Sequence, residues 1–209
     1  MSSSARTLGI LIFDDVEVLD FCGPFEAFSV ARPPESDDDR DRLYEVHIVA
    51  EDLDVVSCRN GLQVKPDFSI EDHPALDMIL IPGGRGTRRE LDNPAVINWI
   101  RRQHQTTELT TSVCTGSFLL AKAGLLDGKS ATTHWASVDW MRSAFPDVTM
   151  RDDQRWVQAD SRIIVSAGVS AGIDMALHVI ELQHGRATAE GTARHMEYTW
   201  NPSPETASA

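Results

Sequence analysis

The residue in this sequence best placed to do chemistry is a thiol set among small residues. Cys114 lies in SVCTGS, residues 112 to 117, between a run ending at Val113 and a helical run that begins at Phe118. Ser112 and Gly116 stand two positions to either side, the spacing of a nucleophile elbow, where larger side chains would clash in a sharp strand-to-helix turn. Such a turn is expected to expose the sulfur. The unpaired N–H groups and positive dipole end of the following helix are expected to lower the thiol pKa. The competing reading is a small hydrophobe that finishes a strand. Cys22 and Cys58 have no comparable setting and read as packing thiols. Three cysteines at these spacings form neither a disulfide framework nor a zinc-ligand pattern.

The flanking elements read as alternating strands and helices. Leu8 to Phe13 (LGILIF), Met78 to Ile81 and Ile163 to Ser166 are continuously apolar or nearly so, as strands covered on both faces are. Tyr44 to Ala50, Leu109 to Val113 and Ser130 to Thr132 complete the predicted strands. Val55 to Pro66, with Asn60 and Gly61 at its centre, predicts a hairpin. Helices are predicted near Gly23 and Pro24 and over Pro94 to His104, Phe118 to Ala123, Ser137 to Ala144, Ile173 to His184 and Ala187 to Tyr198. This order predicts an α/β fold with a mainly parallel sheet and helices on both faces. One domain is expected over residues 1–200. ARPPESDDDRDR, residues 31 to 42, reads as a solvated loop, and 201–209 as a flexible tail.

Composition narrows the partners. The 209 residues are 42% hydrophobic and 24% charged, enough apolar material for a sizeable core. Thirty-two acidic against nineteen basic residues give a net charge of −13, which repels phosphate backbones and anionic lipid surfaces. No nucleic-acid or membrane partner is therefore expected. The polar start, without an apolar signal core or a ~20-residue apolar span, points to the cytoplasm.

Four segments carry a family resemblance: LDFCGPFEAF (19 to 28), IPGG (81 to 84), SVCTGSFLLAKAGLLDGKSATTHW (112 to 135) and SAGVSAGID (166 to 174). In that order they resemble the ThiJ/PfpI superfamily. The resemblance implies a flavodoxin-like three-layer sandwich, similar to class I glutamine amidotransferases, and a homodimer. Within the superfamily the sequence is most similar to isocyanide hydratases, which add water to an isocyanide to give an N-substituted formamide. It also resembles the sensor domains of AraC-type activators, although the short stretch after Tyr198 leaves no room for a helix-turn-helix pair. Glyoxalase-like or redox-sensing chemistry is a third reading.

By this resemblance Cys114 is the nucleophile and Asp20 the acidic residue against it, acting as general acid and base. A carboxyl group beside a thiolate is expected to be pushed toward its protonated form; the alternative for Asp20 is a helix cap. Gly84 and Thr115 match positions whose backbone N–H groups form an anion pocket, and Gly83 allows close backbone approach. Thr115 stands where protease-like members carry histidine, so a Cys-His pair for peptide cleavage is missing, and no HPE-like segment supplies an amidotransferase triad. His134 is either a site residue or an ordinary helix cap. The small residues of 166–174 are expected to bring helix N–H donors to the sulfur. Phe21, Trp135 and Val169 are expected near the substrate. The implied mechanism needs no metal or organic cofactor, only a small-molecule substrate.

Overall fold

A computed structural model of the chain describes residues 5–36, 38 and 40–205. The strands of its main sheet are β1 (Arg6–Leu11), β2 (Tyr44–Ala50), β3 (Phe68–Ser69), β4 (Met78–Ile81), β5 (Leu109–Val113), β6 (Trp156–Asp160) and β7 (Ile163–Ser166). They lie in the order β6-β7-β5-β4-β1-β2-β3, and every pairing is parallel except β6 with β7. The central strands are buried over almost their whole length: Leu8, Ile10 and Leu11 of β1 and all of β4 are closed to solvent. That is why they read as unbroken apolar runs.

Among the described residues, seven α-helices surround this sheet: α1 (Val18–Val30), α2 (Thr87–Glu90), α3 (Pro94–Thr106), α4 (Gly116–Lys122), α5 (Val138–Ala144), α6 (Ala171–His184) and α7 (Arg186–His195). Helix α6 packs against both α1 and α7, while α4 packs against α2 and α3. This is the expected α/β sandwich. Helix α3 starts as its sequence dictates. Asn93 accepts the Ala95 N–H at 3.1 Å, and Pro94, which has no N–H to lose, occupies the first turn. The predicted hairpin forms a separate two-stranded sheet, Val56–Ser57 with Gln63–Val64, whose turn holds Asn60 at φ 65°.

Four elements were not expected, one of them the strand Thr149–Met150, which pairs in parallel with Ser130–Ala131 apart from the main sheet. The edge strands β3 and β6 are short or polar, and α2 is a single turn directly after the glycine loop. In the segment predicted as a tail, the Arg155 N–H donates to the Pro204 carbonyl at 2.6 Å and Gln154 bridges to Glu205; residues 206–209 lie outside the described residues. So do Asp37 and Asp39 of the predicted loop. Among the described residues, no helix is long and apolar enough to cross a membrane.

The chain runs from β1 to β2 on one side, then returns past β1 to β4 and β5 on the other. Ligands of open α/β sheets bind at such a switch point, beyond the carboxyl ends of the strands. Here Asp20 follows β1, Gly83 and Gly84 follow β4, and Cys114 follows β5. The register aligns Ile81 with Ser112 and Val113 with Ser166, so these loops emerge side by side.

Candidate active site

Cys114 has φ 57°, a left-handed conformation that costs a side-chain-bearing residue on the order of 1 kcal/mol. Hydrogen bonds on both its N–H and its carbonyl hold it there. Its N–H is shared between the carbonyls of Ser166 and Ala167, each at 3.1 Å. Its carbonyl accepts the hydroxyls of Thr133 at 2.9 Å and Ser117 at 3.1 Å. The small residues of the elbow have a steric cause: a Cβ on Gly116 would collide with the Ile81 carbonyl. The turn is therefore as predicted, but its consequence for the sulfur is not. Cys114 is only 5% exposed, at the floor of a cleft rather than on display.

The expected direction of its pKa is also reversed. Burial, followed by the charge of Asp20, pushes the Cys114 thiol well above its ordinary value; hydrogen bonding from the Thr115 N–H opposes this and is outweighed. Helix α4, which follows the turn, has only seven residues. Burial and the Asp20 charge both favour the protonated thiol.

Asp20 lies in the first turn of α1 and is fully buried. It caps nothing. Its Oδ2 accepts the Gly83 N–H at 3.0 Å, while Oδ1 has no aligned hydrogen-bond partner among the described residues. The Cys114 thiol and the Val169 N–H act on the carboxyl and favour its charge, as does Gly83. Burial outweighs all three, and together with nearby Glu17 it raises the Asp20 pKa to about 7. The direction is the expected one, but desolvation rather than repulsion by a thiolate is its main cause.

The two glycines serve the site differently from the expectation. Gly83 gives its N–H to Asp20, and Gly84 gives its own to Thr115 Oγ1 at 3.0 Å. Neither amide is left to bind an anion. A Cβ on Gly83 would sit 2.5 Å from the Thr115 nitrogen and 2.9 Å from Asp20 Oδ2, so only glycine lets the three segments meet. Thr115 Oγ1 also bonds the buried Thr87 hydroxyl at 2.9 Å. Its backbone N–H is the one amide of the expected anion pocket that faces the sulfur.

The cleft above Cys114 has a volume of about 500 Å³. Gly84, Thr115, His134 and Val169 line it, as do Glu17, Arg59, Arg85 and Arg88, which the sequence reading missed. The cluster of arginines from Arg85 to Arg89, in so acidic a chain, was the available signal. His134 lines the cleft and caps the turn after it: its Nδ1 accepts the Ala136 N–H at 3.2 Å, which places its ring proton on Nε2. Burial lowers its pKa. Val169 sends its N–H toward Asp20, so the donor from segment 166–174 serves the carboxyl and not the sulfur. Phe21 belongs to the core and Trp135 is 81% exposed; neither lines the cleft. Among the described residues no three His, Cys, Asp or Glu side chains are grouped as metal ligands would be.

A mostly parallel sheet with a cysteine on the turn after a central strand, backed by a buried carboxyl group, places the chain among open α/β proteins with a thiol at the switch point of the sheet. The DJ-1/PfpI family pattern matches residues 6–182, and the chain belongs to that family. It is 36% identical over 208 residues to isonitrile hydratase from Pseudomonas putida, covering 97% of this chain and 85% of the relative. The HTH-type transcriptional regulator GbdR of Pseudomonas aeruginosa is 32% identical over 181 residues, covering 87% of this chain but 47% of the regulator. The chain thus spans about half the length of that relative. Among solved structures, a THiJ/PfpI family protein from Pseudomonas syringae superposes with a TM-score of 0.82 at 28% identity, over 96% of this chain and 78% of that one. Drosophila melanogaster DJ-1beta shares the fold with a TM-score of 0.78 at 21% identity, over 94% and 100%.

Proposed function

We propose that the protein is an isocyanide hydratase in which Cys114 is the nucleophile and Asp20 the general acid and base. The observation that carries this reading is the buried Asp20 carboxyl group acting on the Cys114 thiol at the floor of a cleft, with no aligned hydrogen-bond partner for its Oδ1 among the described residues. The similarity to isonitrile hydratase supports the same chemistry.

The proton affinities dictate how the step begins. With Cys114 held as a thiol and Asp20 near 7, the reactive form is a carboxylate beside a thiol. Asp20 takes the thiol proton as sulfur bonds to the terminal carbon of R–N≡C, and returns that proton to the same carbon, giving the thioimidate R–N=CH–S–Cys114. Asp20, again a carboxylate, then takes a proton from water as the hydroxide adds to this carbon and passes it to nitrogen. The adduct R–NH–CH(OH)–S–Cys114 expels sulfur, which recovers the hydroxyl proton, and R–NH–CHO leaves. The Thr115 N–H steadies charge on sulfur, while Gly83 and Gly84 position Asp20 and Thr115. His134 and Val169 bound the substrate.

In this reading a single domain, residues 1–200, acts as a cytoplasmic homodimer on a small molecule, without a nucleic-acid partner; the net charge of −13 supports the last point. The similarity to GbdR favours one other reading, a sensor that binds a small molecule without turning it over. Burial and high proton affinity make Cys114 a poor target for oxidation, which argues against a redox sensor. The test is to follow formamide formation from a panel of isocyanides. Turnover that vanishes in Cys114→Ala, with a mass increase of one isocyanide on Cys114 during turnover, is expected. Binding without formamide above the Cys114→Ala background would refute the hydratase and favour the sensor.

A further inference from the structure

The mouth of the cleft is cationic although the chain is strongly acidic. Arg59, Arg85 and Arg88 line it against a single exposed-side carboxylate, Glu17. Glu17 is already committed, pairing with Arg59 at 2.7 Å. Arg85 and Arg88 have no carboxylate within ion-pair distance among the described residues, and Arg88 instead lies over the Trp140 ring, 4.9 Å from its centroid. Below them Cys114 lines the cleft, with the Asp20 carboxyl group buried behind it.

Two unneutralised guanidinium groups in a chain of net charge −13 are not a solubility device. Elsewhere the surface arginines are mostly matched: Arg142 with Asp139 and Asp152, and Arg186 with Glu181 and Glu190. A concave site with an excess of one sign of charge concentrates ligands of the opposite sign. The guanidinium plane further matches a carboxylate through paired N–H donors. The contact with the Trp140 ring restrains the Arg88 side chain beforehand, so less of its freedom is lost on binding.

We infer that Arg85 and Arg88 form a carboxylate-binding subsite at the mouth of the cleft, so that the substrate is an isocyanide whose substituent carries a carboxylate. The isocyano part rests on the hydratase reading; the anion subsite does not.

Two measurements on the full chain separate them. In the first, titration calorimetry compares N-formylglycine with its neutral ethyl ester. The anion is expected to bind at least about tenfold more tightly, with a preference that shrinks in ~0.5 M NaCl and is lost in Arg85→Gln/Arg88→Gln and reduced in Arg85→Gln alone. Equal affinity, no binding of either ligand, or a preference that survives in the double variant overturns the subsite. In the second, formamide formation from isocyanoacetate is compared with that from ethyl isocyanoacetate. The anion is expected to have the higher kcat/KM by at least about tenfold, and the double variant to bring the ratio close to one. Hydration of both without regard to charge overturns the proposed substrate class and leaves the hydratase standing. Hydration of neither, with selective N-formylglycine binding intact, removes the hydratase and leaves the subsite.

Discussion

Asp20 and Cys114 act on each other's protons in opposite senses. The charge of Asp20 raises the proton affinity of the Cys114 sulfur, whereas the hydrogen bond from the thiol lowers that of Asp20. The carboxyl group therefore ionises first, at about 7, and the thiol well after it. The pair passes through a state with one proton, held on sulfur beside a carboxylate base.

That order fixes the pH dependence of catalysis. On the hydratase reading, kcat/KM for isocyanide should rise about tenfold per pH unit below 7 and level off above it, because the rate follows the ionised fraction of Asp20. Asp20→Asn should lower the rate by roughly 10²–10⁴-fold and abolish the inflection. A profile that climbs through the thiol range instead, without a break near 7, would mean that free thiolate is the reactive form.

The same carboxyl group should leave a mark on stability. Its value is about 7 in the fold against 3.8 for an ordinary aspartate, so the folded chain binds the extra proton. Below about pH 4 both states are protonated and Asp20 carries no penalty. As the pH rises toward 7 the unfolded chain ionises freely while the folded chain resists, and stability falls; above 7 the penalty is constant. At about 1.4 kcal/mol per unit the full penalty is on the order of 4 kcal/mol. Asp20→Asn should thus gain stability relative to wild type between pH 4 and pH 8. Urea unfolding at the two pH values checks this, and a difference independent of pH would contradict it.

What could be read from the sequence follows the range of the forces involved. The runs LGILIF and MILI announced β1 and β4 because strands buried on both faces need no alternation. Strand β6, WVQAD, sits at the antiparallel edge and carries no such run. The elbow at Cys114 was legible because its steric demands are local. The proton affinity of the sulfur was not: it depends on how deeply the turn is buried and on a carboxylate delivered by α1, after a different strand. Gly83 and Gly84 were visible as permissive backbone, but their N–H partners, Asp20 and Thr115, exist only once β4 and β5 lie side by side. The arginines at 85 and 88 likewise become a cleft wall only through the fold.

Thr115 offers a test of that network. Its hydroxyl accepts the Gly84 N–H and bonds the Thr87 hydroxyl, both buried. Thr115→Val keeps the shape but leaves these two groups without partners, at about 1–3 kcal/mol each. A loss of roughly 2–5 kcal/mol in urea unfolding is expected, whereas Thr115→Ser, which keeps the oxygen, should lose far less. Equal losses would assign the effect to packing of the methyl group.

Gly168 tests the wall of the cleft. A Cβ there would run into the His134 ring at Cδ2, and the ring cannot retreat without giving up the Ala136 N–H that its Nδ1 accepts. Gly168→Ala should therefore push His134 into the cleft and reduce kcat/KM by about tenfold. Because the cause is one contact, the loss should disappear in a His134→Ala background, where no ring is met. The cycle should show an interaction of about 1 kcal/mol or more, in the range of directly touching residues. Additive losses in the double variant would instead place the effect in the backbone of the segment after β7, which also carries the Val169 N–H toward Asp20.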